Sequence, residues 1–249
     1  MATGKVALVT GGGKRRVGSH VALALAERGY AVAVHYRNSA TEAHETIDRL
    51  RALGVEAEGY QADLTDECAV KQLVTAVLDR FKRLDVLVNC AAVWQSKRLE
   101  NVTADDVRLH FETNTLATFL CTQHAGLAMV GQAEGGSIVT MGDWAEVRPY
   151  LNYAAYFPSK GAIAALTRCL AVELGTRNPR VRVNCILPGP VMLPPDLPLS
   201  ERHEAIDATL VKREGSPHNV AQAVLALIEN DFITGVCLPV DGGRTVYAP

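Results

Sequence analysis

Apolar residues along this chain fall into two kinds of stretch: short unbroken runs rich in β-branched residues, and longer ones in which they return every three or four positions. The first kind reads as strands buried on both faces, the second as helices with one apolar face. Strands are expected at Lys5–Thr10, Ala31–Tyr36, Val55–Gln61, Leu84–Cys90, Ser137–Met141, Val181–Leu187 and Val236–Val240. Helices are expected over Ser19–Arg28, Thr41–Leu53, from about Thr65 and Asp66, over Thr103–Met129, Tyr153–Thr176 and Pro217–Asn230. Strand and helix alternate throughout, which predicts one α/β domain over residues 1–249 built on a parallel sheet. From Pro188 to Pro198 five of eleven residues are proline. Such a segment forms neither a central strand nor a helix interior, and a semi-rigid flap is expected over 188–216, with a short helix at Ser200–Lys212.

Candidate chemistry collects at the carboxyl ends of these strands, where open parallel sheets bind ligands. Thr10 is followed by Gly11, Gly12 and Gly13 and then by a helix. Glycines let the backbone approach a pyrophosphate, and the helix N-terminus offers free N–H groups. Lys14, Arg15 and Arg16 in this turn fit a phosphate clamp. The second strand ends in Tyr36, Arg37, Asn38 and Ser39, with no acid to hold a ribose 2′-hydroxyl. Arg37 instead offers a fork to a 2′-phosphate, with Asn38 and Ser39 as further donors, so the expected cofactor is NADP rather than NAD. After the third strand, Asp63 beside Leu64 either bonds an adenine amine or caps the next helix. Asn89 and Ala91 end the fourth strand, where small residues let a cofactor pass close. Trp94, in the following loop, is either a stacking platform for a planar ligand or a hydrophobic plug.

The stretch from Gly136 to Ala164 carries the candidate catalytic groups. Tyr156 and Lys160 are four apart on a helix, so phenol and ammonium share one face. The Lys charge is expected to bring the phenol pKa down, as general acid catalysis needs. Asp143, thirteen residues before Tyr156 at a strand end, would share the same crevice. Asn114, in an otherwise apolar helical stretch, either bonds neighbouring backbone or holds a water beside this pair.

Charge and composition remove several alternatives. A net charge of −2 gives no reason to expect nucleic acid or an anionic membrane as partner. No apolar run is long enough to span a bilayer, and the sequence enters a strand almost at once, so a cytoplasmic protein is expected. The six cysteines are scattered without CxxC spacing, and the seven histidines lack HExxH or paired-ligand spacing, so no metal site is expected.

Taken together, Thr10-Gly11, Asn89 with Ala91, Asn114, Tyr156 with Lys160, Pro188-Gly189 and Val240-Asp241-Gly242-Gly243 resemble the short-chain dehydrogenase/reductase family over essentially the whole chain. The resemblance implies a seven-stranded parallel Rossmann sheet with helices on both faces and nicotinamide hydride transfer. It further implies Tyr156 as proton donor, Lys160 holding the nicotinamide ribose, Asn114 supporting a water relay, and a homotetramer built through the long helices. Most members carry serine where this chain has Asp143. That substitution, with His35-Tyr36-Arg37-Asn38-Ser39-Ala40, Arg16-Val17-Gly18 and Trp94, resembles the pteridine reductase branch, and Tyr153 matches a tyrosine of that branch. A dihydropterin lying against Trp94 is therefore the expected substrate, with Asp143, Tyr153 and Met192 in contact with it. The turn is one residue longer than the family's usual pattern, which leaves open whether Arg15 or Arg16 faces the phosphates. Two rivals remain: a carbonyl reductase acting on 3-oxoacyl thioesters, sugars or other ketones with Asp143 protonated, and a non-catalytic NADP-binding sensor.

Overall fold

The computed structural model describes residues 4–247. Its seven strands form one parallel sheet: β1 (Val6–Thr10), β2 (Ala31–Tyr36), β3 (Ala57–Gln61), β4 (Val86–Asn89), β5 (Gly136–Met141), β6 (Val181–Pro188) and β7 (Cys237–Val240). The spatial order is β3-β2-β1-β4-β5-β6-β7. The chain winds outward from β1 to β3, returns to pair β4 with β1, and then winds outward the other way to β7. Connections leaving β1 and β4 therefore diverge, opening a crevice above their carboxyl ends.

Helices cover both faces of the sheet. α1 (Val17–Glu27), α2 (Ala40–Ala52) and α8 (Pro217–Glu229) enclose one core, with Val9, Leu25, Val34, Leu50 and Val224 at its centre. α3 (Glu67–Phe81), α5 (Ala117–Val130) and α6 (Tyr156–Gly175) enclose the other, around Leu8, Leu73, Leu87, Met129 and Ile138. Strands buried on both sides are why the sequence shows unbroken apolar runs instead of alternation. α7 (Leu199–Asp207) is the only helix among the described residues of the 188–216 segment and buries no residue fully.

Three helix spans differ from the sequence reading; the short helix expected to reach Lys212 ends at Asp207. The stretch read as one helix from Thr103 to Met129 is α4 (Ala104–His110), a π-helical turn at Phe111–Leu116, and α5. The wider turn rotates Asn114 into full burial. The helix read from Tyr153 begins at Tyr156, because Pro158 has no N–H and fits only where a helix leaves its N–H groups unbonded.

A buried arginine ties the far edge together. Arg182 on β6 donates to the carbonyls of Leu227 (2.7 Å), Ile228 (2.8 Å) and Ile233 (2.8 Å), satisfying the C-terminus of α8. Arg182→Leu strands these acceptors, and we expect urea unfolding to show a loss of about 2–4 kcal/mol. A loss below about 1 kcal/mol would mean that water takes the arginine's place.

Candidate active site

β5 ends at Met141, and Gly142 turns the chain so that Asp143 leaves the sheet pointing along α6. A Cβ at Gly142 would sit 2.6 Å from the end of the Leu187 side chain, which would have to move to admit it. One Asp143 oxygen accepts from the Ala145 N–H (2.9 Å) and caps a short turn at Trp144–Glu146. The other accepts from the Tyr156 hydroxyl at 2.8 Å. Arg148, five residues on, donates to the Arg244 carbonyl (3.0 Å) and to that of Tyr247.

The electrostatics of this pair follow from its burial. Withdrawal from water pushes the Asp143 carboxyl up, against the pull of Ala145, Tyr156 and Lys160. Burial and the adjacent carboxyl push the Tyr156 phenol well above its ordinary value. This corrects the expectation that Lys160 lowers the phenol pKa. Lys160 is buried, its Nζ donates to the Met141 carbonyl at 2.7 Å, and desolvation lowers its own pKa. One of the ammonium's three donors is thus used at the end of β5.

Asn114 is spent on scaffold contacts too. Its amide accepts from Val93 N–H (2.8 Å) and donates to the Val93 carbonyl (3.1 Å) and Ser159 Oγ (3.0 Å). Ser159, which the sequence gave no reason to single out, donates to the Tyr156 carbonyl at 2.6 Å. Asn114 therefore joins the loop after β4 to α6, the backbone alternative of the sequence reading. Beside it, buried His110 sets its ring edge-on to Tyr156, centroids 6.0 Å apart.

Trp94 is 43% exposed and stacks on Tyr153, centroids 5.2 Å apart and planes 14° apart. Tyr153 in turn sets its edge towards Tyr156 at 6.1 Å. Trp94 and Tyr153 thus form one wall beside the phenol, with Tyr150 edge-on to Tyr153 at 5.1 Å. Met192 is half exposed in the proline-rich flap, whose base is fastened by Glu214 to Leu193 N–H (2.9 Å) and Arg202 (2.6 Å).

The nucleotide end of the crevice is built with little space. Gly11 has φ +63°, and a Cβ there would lie 2.8 Å from Ala91 Cα. Thr10 Oγ1 accepts from Ala91 N–H (3.2 Å), closing β1 onto β4. His35, buried on β2, accepts from Gly11 N–H at 3.2 Å and faces the Ala62 carbonyl with its other nitrogen at 3.1 Å, so it bridges the turn to the end of β3. Burial lowers its pKa, which keeps the ring neutral for that role. Val17 opens α1, and Arg16 is its N-cap residue, exposed like Lys14 and Arg15. Arg15 is drawn to Glu45 on α2 at 3.0 Å. Asn89 donates to Thr122 Oγ1 (3.1 Å), and its buried Oδ1 has no partner among the described residues. A bare backbone turn and an orphaned acceptor suit a dinucleotide passing over these strand ends.

The rim holds Tyr36, Arg37, Asn38 and buried Ser39. Arg37 pairs with Asp63 at 2.7 Å. Asp63 does not cap α3, as one alternative had it. Its other oxygen accepts from Thr65 N–H (3.0 Å), and Asp66 caps the helix through Cys68 N–H (2.8 Å). Burial works to raise the Asp63 pKa, but the Thr65 hydrogen bonds and Arg37 hold it below the ordinary value. Leu64 is buried against α3. Gly189 follows Pro188 at the end of β6, donates to the Val240 carbonyl (3.0 Å), and would clash with Asp241 if it carried a Cβ.

Comparison with known proteins agrees with this geometry. Residues 12–245 match the family model described as enoyl-(acyl carrier protein) reductase. A versicolorin reductase of Emericella nidulans is 33% identical, over 96% of this chain and 95% of the relative. A 3-oxoacyl-[acyl-carrier-protein] reductase of a Synechocystis species is 32% identical over 98% of both chains. The crystal structure of acetoin dehydrogenase from Enterobacter cloacae superposes with a TM-score of 0.88 at 32% identity, covering 100% of this chain and 98% of that one. The chain belongs to the short-chain dehydrogenase/reductase family, oxidoreductases that use the nicotinamide cofactors NAD or NADP.

Proposed function

We propose that this protein reduces a carbonyl group on a substrate with a flat apolar part, using NADPH. The observation that carries the reading is the 2.8 Å hydrogen bond between Tyr156 and an Asp143 carboxyl whose burial favours the neutral form. A carbonyl oxygen gaining negative charge needs neutral donors around it. A protonated Asp143 and the Tyr156 hydroxyl supply two, in the place where most relatives use a serine. The nicotinamide cofactor supplies the hydride when bound. Tyr156, with its raised pKa, stays protonated across the neutral range and gives its proton to the carbonyl oxygen. The Trp94–Tyr153 wall offers an aromatic surface for a flat substrate, and relatives named for versicolorin and 3-oxoacyl chemistry support a carbonyl acceptor over a pterin.

The preference for NADPH rests on the rim. No acid stands at 36–39, and the Arg37–Asp63 pair is 52% and 38% exposed. Exposed pairs are worth less than about 1 kcal/mol, so Arg37 exchanges Asp63 for a 2′-phosphate at small cost. Six unpaired cysteines suit a reducing, cytoplasmic setting, and no helix among the described residues is long and apolar enough to cross a membrane. Exposed Leu116 and Leu127 on and beside α5 and Val172 on α6 support assembly of four copies through these helices.

Reduction of a pterin ring C=N bond is the second reading, favoured by a carboxyl within proton-transfer distance of Tyr156. The two separate in one panel: oxidation of NADPH and NADH with acetoacetyl thioester, aromatic ketones and acetoin against dihydrobiopterin and dihydrofolate. Turnover of ketones with NADPH preferred is expected. Turnover of pterins alone overturns the carbonyl reading. Asp143→Ser keeps a neutral donor and should hold ketone turnover within about tenfold, whereas Asp143→Ala loses about 10²–10³ in kcat. Tyr156→Phe should cost about 10²–10⁴.

Asp143 also sets a pH dependence of stability. Between about pH 4, where an unfolded carboxyl releases its proton, and its raised native pKa, the folded state binds the proton more tightly. Wild-type stability should therefore fall as pH rises through that window. Asp143→Asn should remove the fall and gain stability at pH 8 relative to pH 3. Parallel pH profiles of the two proteins in urea unfolding would show that burial does not raise this carboxyl.

A further inference from the structure

Behind the catalytic turn, on the side of the sheet covered by α6, two thiols meet at the sheet edge. Cys185 on β6 and Cys237 on β7 are registered partners on adjacent parallel strands. Registered partners point to the same face, so both side chains pack with Ile163 and Leu187. Their Cα atoms are separated by about the 4.8 Å strand spacing, within the range a disulfide bridges. Cys185 is buried, and Cys237 is partly exposed, within reach of a small oxidant.

The surroundings activate one sulfur of the two. Arg168 on α6 places Nη1 3.8 Å from Cys237 Sγ. The neighbouring Cys185 thiol, whose Sγ donates to the Ile186 carbonyl at 3.4 Å, and Arg168 together outweigh burial and bring the Cys237 pKa down to about 7. The other charged group facing this pocket is Glu146, from the turn after β5, whose carboxyl is itself raised to about 7 by burial and by Cys237. Lys160 on α6 acts on Cys185 from the catalytic side. Neither cysteine takes part in binding or reduction as derived above, so this chemistry stands apart from that reading.

We propose that Cys185 and Cys237 form a peroxide-oxidised dithiol that closes reversibly into an intramolecular disulfide. The Cys237 thiolate attacks one peroxide oxygen. An S–O bond forms, the O–O bond breaks, and the sulfur gives two electrons to the peroxide, whose other oxygen leaves as hydroxide and takes up a proton to become water. The Cys185 sulfur then displaces the sulfenic oxygen, which leaves as water carrying the Cys185 proton. Two thiols and one peroxide become one disulfide and two waters.

The test is brief exposure of the reduced full-length protein to hydrogen peroxide at pH 7, followed by thiol titration in denaturant and peptide mapping. Free thiols should fall from six to four per chain, with a loss of two hydrogens mapped to the Cys185–Cys237 pair and reversed by dithiothreitol. Cys185→Ser should leave Cys237 as a sulfenic acid captured by dimedone, and Cys237→Ser should abolish the two-thiol loss. Arg168→Gln should slow the reaction about tenfold at pH 7 and move its rise with pH upward. First reaction at exposed Cys68 or Cys169 with Cys237 untouched, or an unchanged two-thiol loss in Cys237→Ser, overturns the proposal. The wild-type map decides even where a variant fails to fold.

Discussion

A carboxyl and a phenol, both drawn out of water, share one 2.8 Å hydrogen bond at the end of β5. Burying a carboxyl is costly in its ionised form, and the fold covers Asp143 while providing no cation in direct contact. The nearest ammonium, on Lys160, is committed to the Met141 carbonyl, and Arg148 is committed to the C-terminal turn. Burial raises the Asp143 pKa, against the Ala145 N–H, the Tyr156 hydroxyl and the Lys160 charge. In the reaction proposed above, Asp143 joins Tyr156 as a second neutral donor facing the crevice.

The scaffold holds these donors in register from three sides. β5 and the Gly142 turn fix Asp143, the first turn of α6 fixes Tyr156, and Asn114 ties α6 to the loop after β4 through Ser159 and Val93. Asn114 can do this because the π-helical turn rotates its side chain into the protein. Nothing at the centre of the site relies on a loop tip. The flap after β6, where Met192 is half exposed, is fastened by Glu214, by Gly215 N–H to the Pro190 carbonyl (2.9 Å) and by Arg244 to the Ala205 carbonyl (2.7 Å).

Strand positions and the parallel α/β class are legible in the sequence because doubly covered strands leave unbroken apolar runs; five observed strands lie within the run read for them, and β5 and β6 each exceed theirs by one residue. The order of strands is not written in those runs, since any of them could occupy the centre. The π-helical turn was missed for a similar reason: one additional residue in a turn barely disturbs an apolar period, and Thr113 and Thr115 beside Asn114 are its one local hint. At the site, spacing was enough to bring Tyr156 and Asp143 together. The destination of the Lys160 ammonium was not legible, because its acceptor is a backbone carbonyl and carries no residue signature. The contacts of Ser159, and the bridge that His35 makes from the Gly11 turn to Ala62, were not legible likewise, both running largely through backbone groups.

The protonation state of Asp143 is the point on which the choice between ketone and pterin turns. Infrared difference spectroscopy of wild type against Asp143→Asn, in ¹³C-aspartate-labelled protein at neutral pH, reads that state without any substrate. A carbonyl stretch of a protonated carboxylic acid, present in wild type and lost in the variant, is expected. Carboxylate bands alone at that position would contradict a neutral donor and leave the anion to be explained by different chemistry.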